Sequence, residues 1–331
     1  MADSRTATIA AIFGLVLSSP IPGYALDLQG HRGARGLAPE NTLAGFETAL
    51  SIGVTTLEMD LGVSRDGVVV VAHDPQLNPD LTRGPDGDWL AAPGPALHAL
   101  DLAEIRRFDV GRIRPGSRYA GRYPEQRPAD GARIPTLAEV IQLTRKAGNE
   151  EVRFNVETKI SPLEPDLTPA PEAFVGAAIE VLRTEGVLER STMQSFDWRT
   201  LRAAKAIAPE MTTVCLTTEQ RWLDNLERRR PGPSAWTAGL DVDDFATVPD
   251  LVAAAGCGVW SPYYGDLDEA ALAGAHALGL EVVVWTVNEP AEMRRLLALG
   301  VDGIISDFPD RLRTLAAEAG FGLPEPTPVM P

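Results

Sequence analysis

Short runs of apolar and β-branched residues recur from residue 26 onward, and most are followed by a stretch with helical spacing. The strand-like runs fall at 26–31, 56–63, 153–159, 192–196, 212–216, 258–263, 282–287 and 303–306. Helical stretches lie at 42–51, 173–183, 199–207, 248–255, 268–278, 292–299 and 310–317. Strands joined by crossover helices predict a parallel α/β architecture. Eight such units over about 300 residues favour a closed TIM (β/α)8 barrel over an open sheet.

The segment 75–135 interrupts this alternation after the second strand. Its 61 residues hold 9 prolines and 7 glycines, too many breakers for a regular βα unit. It reads as an irregular insertion packed over the barrel mouth. Its 9 arginines against 8 acidic residues give +1, where the remaining chain carries −17. Those arginines either face solvent or help draw in an anionic substrate. At the start, Arg5 precedes an apolar stretch over 7–17, and Gly23-Tyr24-Ala25 is a small-x-small cleavage pattern. Residues 1–25 therefore read as a signal peptide, too short in its apolar part to be a stable membrane anchor, and the expected location is periplasmic or secreted. The barrel domain is expected over 26–320. A Pro-rich tail over 321–331 is expected to be disordered from Gly322 on.

With 30 basic and 46 acidic side chains, the formal charge is −16, which argues against nucleic-acid binding. Two cysteines, Cys215 and Cys257, exclude a disulfide-dense scaffold and a four-cysteine zinc site. Export would permit a bridge between them, but two buried free thiols are the expectation.

Candidate chemistry concentrates at three strand ends: His31-Arg32, Glu58-x-Asp60 with His73-Asp74 beyond it, and Glu157-Thr158-Lys159. Residues two apart on a strand share a face, so Glu58 pairs with Asp60, while Leu57, Met59 and Leu61 face the helices. Three carboxylates converging inside a barrel would repel. A hard divalent cation, Ca²⁺ or Mg²⁺, resolves this, and Glu58, Asp60 and Glu157 are its expected ligands. His31 and His73 titrate near neutrality and suit a general acid and base for cleaving a P–O bond. His98 and His276 read as bland. Lys159 stands out because the chain has 27 arginines and 3 lysines. It is either a phosphate-binding point charge or the structural partner of Glu157. Arg32 offers a forked donor set for phosphate, and Trp285 either walls a substrate pocket or packs.

These residues resemble the glycerophosphodiester phosphodiesterase family. The likeness rests on Gly30-His31-Arg32-Gly33, Pro39-Glu40-Asn41-Thr42, Glu58-x-Asp60, Asp66-Gly67, His73-Asp74 and Glu157-Thr158-Lys159. Ser195-Phe196, Trp285-Thr286-Val287-Asn288 and the run from Asp302 to Pro309 complete it. Together they span residues 26–313, and the signal-like start and the insertion are closer to the periplasmic branch. The resemblance implies a TIM barrel that hydrolyses small-molecule glycerophosphodiesters to sn-glycerol 3-phosphate and an alcohol. It also implies one divalent ion on Glu58, Asp60 and Glu157, with His31 and His73 as the acid–base pair. Glu40 and Asn41 would support the site from behind or cap the following helix. Two other readings compete: a phospholipase of the same barrel type, like a sphingomyelinase D or a phosphoinositide-specific lipase, and a non-catalytic phosphodiester-binding protein.

Overall fold

A computed structural model describes residues 26–330; the expected signal peptide lies outside the described residues. Eleven strands form among them: β1 Asp27–Gly30, β2 Thr56–Val63, β3 Val69–Val71, β4 Arg153–Thr158, β5 Ser191–Ser195, β6 Thr212–Thr217, β7 Glu219–Gln220, β8 Leu223–Asp224, β9 Val259–Pro262, β10 Glu281–Val284 and β11 Gly303–Ser306. The helices are α1 Leu43–Ile52, α2 Leu102–Ile105, α3 Leu137–Lys146, α4 Pro171–Thr184, α5 Trp198–Ile207, α6 Val248–Ala255, α7 Glu269–Ala277, α8 Pro290–Leu299 and α9 Pro309–Glu318.

Eight parallel strands run in the order β1-β11-β10-β9-β6-β5-β4-β2, and β2 pairs with β1 to close the barrel. Strand β3 adds antiparallel to β2 outside the ring. The expected TIM barrel is therefore the fold. Local chemistry sets the helix starts: Thr42 caps α1 by accepting from the Gly45 N–H, and Asp268 caps α7 through Ala271. Proline occupies the first turn of α4, α8 and α9, where its missing N–H costs nothing.

Alternation along each strand divides the core in two. Leu57, Met59, Leu61, Phe154, Val156 and Met193 face outward into the helix layer. Inside the ring, Val214, Val259, Val283 and Ile305 form a separate apolar cluster on β6, β9, β10 and β11. The opposite half of the interior is polar, supplied by Gln29, Glu58, Asp60, Asn155, Glu157 and Gln194, all buried. That asymmetry places the chemistry on β1, β2, β4 and β5.

Several expectations are corrected. Helix α3, absent from the helical stretches expected above, opens on a capping box of Thr136 and Glu139 and buries Leu137, Val140 and Ile141. The insertion carries a small core of its own, with Val70, Leu77, Leu97, Ile105 and Ile134 buried together. Arg83 of the insertion pairs with Asp109 and Asp130 and Arg106 pairs with Glu139, whereas Arg122 lines the large cavity at the barrel mouth. The tail is ordered through residue 330. Thr327 donates its backbone N–H to Leu50 O at 2.9 Å, and Asn149 reaches the Thr327 hydroxyl at 2.9 Å. Leu323 and Val329 pack against the main core. The prolines keep this segment from forming a helix without keeping it off the surface. Cys215 and Cys257 are not free thiols but form a disulfide, with Cα atoms 5.9 Å apart. Neighbouring strands bring them together: β6 and β9 pair directly, and Cys257 lies two residues before β9.

Candidate active site

Parallel register brings the three carboxylates to one level. Asp60 on β2 lies beside Glu157 on β4, and Glu58 lies one alternation below. One ligand oxygen from each of Glu58, Asp60 and Glu157 falls within 4.8 Å of the others, and all three residues are buried. Like charges this close share a strained electrostatic field. Burial, then the charges of Asp60 and Glu157, push the Glu58 carboxyl well above its ordinary value. Burial would raise Asp60 as well, but Arg32, His73 and Lys159 outweigh it and hold Asp60 far down. Burial pushes Glu157 up against the pull of Lys159.

Each carboxylate is held by neutral or cationic donors from the surrounding shell. Gln194 donates to Glu58 Oε1 at 2.8 Å, and the Arg32 backbone N–H donates to Glu58 Oε2 at 2.7 Å. Asn41 donates to Asp60 Oδ2 at 2.8 Å, so Asn41 supports the triad and the cap of α1 is Thr42. Glu40 receives Arg32 Nη1 at 2.6 Å and the Tyr119 hydroxyl. Arg32 and Asn41 both adopt left-handed φ, 52° and 53°, a cost of about 1–3 kcal/mol each that these contacts offset. Lys159 Nζ lies 2.7 Å from Glu157 and 3.8 Å from Asp60. It is the structural partner of Glu157, and it also lines the cavity. Among the described residues, the buried Asp60 Oδ1 has no hydrogen-bond partner. An orphaned carboxylate oxygen beside two further carboxylates fits a hard cation.

The histidines face the same space. His31, at the end of β1, contacts Asp307 Oδ1 through Nδ1 at 2.6 Å, and its Nε2 lies 3.9 Å from Glu58. Arg35 donates to both Asp307 oxygens, at 2.8 and 3.0 Å, and Asn288 adds a third donor at 2.7 Å. Burial first, then Arg35, lower the His31 pKa to about 4, although Asp307 opposes the shift. His73 contacts Asp74 through Nδ1 at 2.8 Å, and Asn78 fixes Asp74 at 2.7 Å. Burial, Arg32 and Lys159 lower the His73 pKa.

A cavity of about 800 Å³ opens over these groups and is lined by His31, Arg32, His73, Glu157, Lys159 and Trp285 among others. Trp285 donates its indole N–H to Ser261 O at 2.9 Å, which anchors the ring in the wall. The structure thus gathers the residues expected to act in catalysis, substrate binding, ion binding or support around one space or directly behind it. It adds Arg35, Asp307, Asn288, Gln194 and Tyr119, to which sequence reasoning assigned no role. Asp307 follows the last residue of β11, the position where barrel strands deliver functional groups, and that placement was the available signal.

Residues 31–311 match the model of the glycerophosphoryl diester phosphodiesterase family. The chain is 28% identical over 290 residues to a glycerophosphodiester phosphodiesterase of Caldanaerobacter subterraneus subsp. tengcongensis, covering 88% of this chain and 97% of that one. It is 29% identical over 285 residues to a Bacillus subtilis protein of the same name, covering 85% and 83%. A Silicibacter pomeroyi DSS-3 crystal structure, provisionally assigned as a glycerophosphoryl diester phosphodiesterase, matches with a TM-score of 0.79 at 35% identity, covering 90% and 95% of the two chains. The chain belongs to the glycerophosphoryl diester phosphodiesterase family of enzymes.

Proposed function

We propose that the protein hydrolyses water-soluble glycerophosphodiesters to sn-glycerol 3-phosphate and an alcohol, with one divalent cation, Ca²⁺ or Mg²⁺, on Glu58, Asp60 and Glu157. The observation that carries this reading is the buried carboxylate triad facing His31 and His73 across one cavity. The cation would supply neutralisation of the phosphoryl charge. Lys159 and Arg32 add positive charge on the same side and orient the phosphate. His31, neutral and with Nδ1–H committed to Asp307, presents a free Nε2 to accept the proton of the attacking glycerol 2-hydroxyl; the cyclic phosphate left as the alcohol departs is then opened by water. His73, oriented by Asp74, returns a proton to the departing alcohol. A bound phosphodiester anion raises the His73 pKa and favours the protonated form that this step needs.

Release of glycerol 3-phosphate, followed across a panel of glycerophosphodiesters with and without added metal, tests the proposal. A second reading, a phospholipase, draws on Leu163 and Trp222, 70% and 60% exposed on the wall of the cavity. Turnover of phospholipid vesicles without turnover of glycerophosphocholine would select it. Export to the periplasm or the exterior is part of the proposal. The apolar N-terminal segment supports it, as does the Cys215–Cys257 bridge, a bond that persists in oxidising compartments.

A further inference from the structure

The cavity has two chemically different ends. Around the triad it is charged, whereas a second wall carries the rings of Phe196, Trp222, Tyr263 and Trp285. Trp222 lies in the turn between β7 and β8, a hairpin that extends the loop after β6, and it stays 60% exposed. Its continuity with three further rings on a cavity wall makes an apolar patch of the kind that marks a binding surface.

The rings are arranged in a particular way. Trp222 and Tyr263 have centroids 5.5 Å apart and planes at 83°. Trp222 and Trp285 lie 6.1 Å apart at 85°, and Tyr263 and Trp285 lie 5.7 Å apart at 63°. The three rings pack edge-to-face on one another and make one continuous aromatic patch on the cavity wall. A cationic group resting on that patch comes within the ~6 Å reach of a cation–π contact. The wall already accepts one cation: Lys159 Nζ lies 5.8 Å from the Phe196 centroid, and Phe196 packs edge-on against Trp285 at 5.2 Å. Phe196 thus joins the positive group beside the triad to the aromatic patch.

We propose that Trp222, Tyr263 and Trp285 form the subsite for the departing alcohol and select a quaternary ammonium alcohol of the choline type. The proposal rests on the phosphodiesterase reading and names the alcohol that reading leaves open. A trimethylammonium group cannot donate a hydrogen bond, so π-faces are a good substitute for its weak hydration shell. A primary ammonium is compact and strongly hydrated, and gains less from the same walls. A neutral alcohol gains only apolar contact.

Binding without turnover separates this subsite from the catalytic reading. Calorimetric titration with choline chloride is compared with 3,3-dimethyl-1-butanol, which has the same shape and no charge. Choline is expected to bind at least about tenfold more tightly, and Trp222→Ala to weaken choline about tenfold while Trp222→Phe keeps most of the affinity. Equal binding of the neutral isostere, full choline affinity in Trp222→Ala, or no choline binding would overturn the proposal. In the turnover assay, the kcat/KM ratio of glycerophosphocholine to glycerophosphoglycerol should fall about tenfold in Trp222→Ala. An unchanged ratio likewise counts against the subsite. Charge-selective choline binding in a protein that cleaves no diester would leave the subsite standing and remove the phosphodiesterase reading.

Discussion

Asp307 receives the Nδ1–H of His31 at 2.6 Å, and this single contact decides which imidazole nitrogen the cavity sees. The tautomer follows from the network, since Asp307 is an acceptor only and already takes two bonds from Arg35. Nε2 is left as the free lone pair on the cavity side. The residue that orients the proposed base thus comes from the last barrel strand, while the base comes from the first; β1 and β11 are paired neighbours in the closed ring.

Asp307→Asn is expected to keep the fold but to release the imidazole from this tautomer. Turnover should fall by about 10²-fold or more, comparable with His31→Ala or His73→Ala, while cation affinity is largely kept. Steady-state kinetics alongside calorimetric metal titration check this. Undiminished turnover would dismiss Asp307 as the orienting group.

The His31 pKa, lowered to about 4 from 6.5 by burial and Arg35, also makes a stability prediction. Between these values the unfolded chain binds a proton that the folded chain refuses. Stability from this group is therefore complete above about 6.5 and declines as pH falls toward 4. Urea midpoints at pH 7 and pH 5 should differ more in the wild type than in His31→Gln. Equal differences would contradict the depressed value.

Chelation should abolish activity, and Ca²⁺ or Mg²⁺ should restore it. Because a cation that binds only the folded chain stabilises it by mass action, ion at a hundredfold excess over Kd should add about 2.7 kcal/mol. Glu157→Gln should lose most of that gain in a thermal melt. Full activity in EDTA would refute the ion site.

The Cys215–Cys257 bridge closes a separation of 42 residues, which chain-entropy arguments value at about 4 kcal/mol. A reductant should lower the urea midpoint of the wild type and leave that of Cys215→Ser/Cys257→Ser unmoved. Identical responses of the two proteins would show that the bridge contributes nothing.

What the sequence disclosed follows from periodicity. Glu58 and Asp60 alternate with Leu57, Met59 and Leu61, so their inward direction was legible, and parallel register then brought Glu157 alongside. Arg35 and Asp307 were not legible as a pair because 272 positions separate them and neither carries a local pattern that implies the other. Trp222 escaped notice because the loop after β6 has no period to read. The ordered tail was misjudged because proline content reports a lack of helix or strand, not a lack of packing. Whether Cys215 and Cys257, on nearby strands, lie close enough to join depends on register across the barrel, which sequence spacing does not carry.

Below the carboxylates, Gln194, Asn155 and Gln29 link Glu58 to Asp27 along the inside of the barrel. Asn155 donates to both glutamines, at 3.0 and 2.9 Å, and Gln29 passes its own donor to Asp27 at 2.8 Å. Flipping Gln194 or Gln29 would turn a carbonyl against a carboxylate, and flipping Asn155 would turn its carbonyl against those of both glutamines. The barrel floor is thereby one hydrogen-bonded chain whose donors run outward from Asn155 to a carboxylate at either end. A substitution at Gln29 would therefore reach Glu58, a proposed ligand of the ion, through side chains alone.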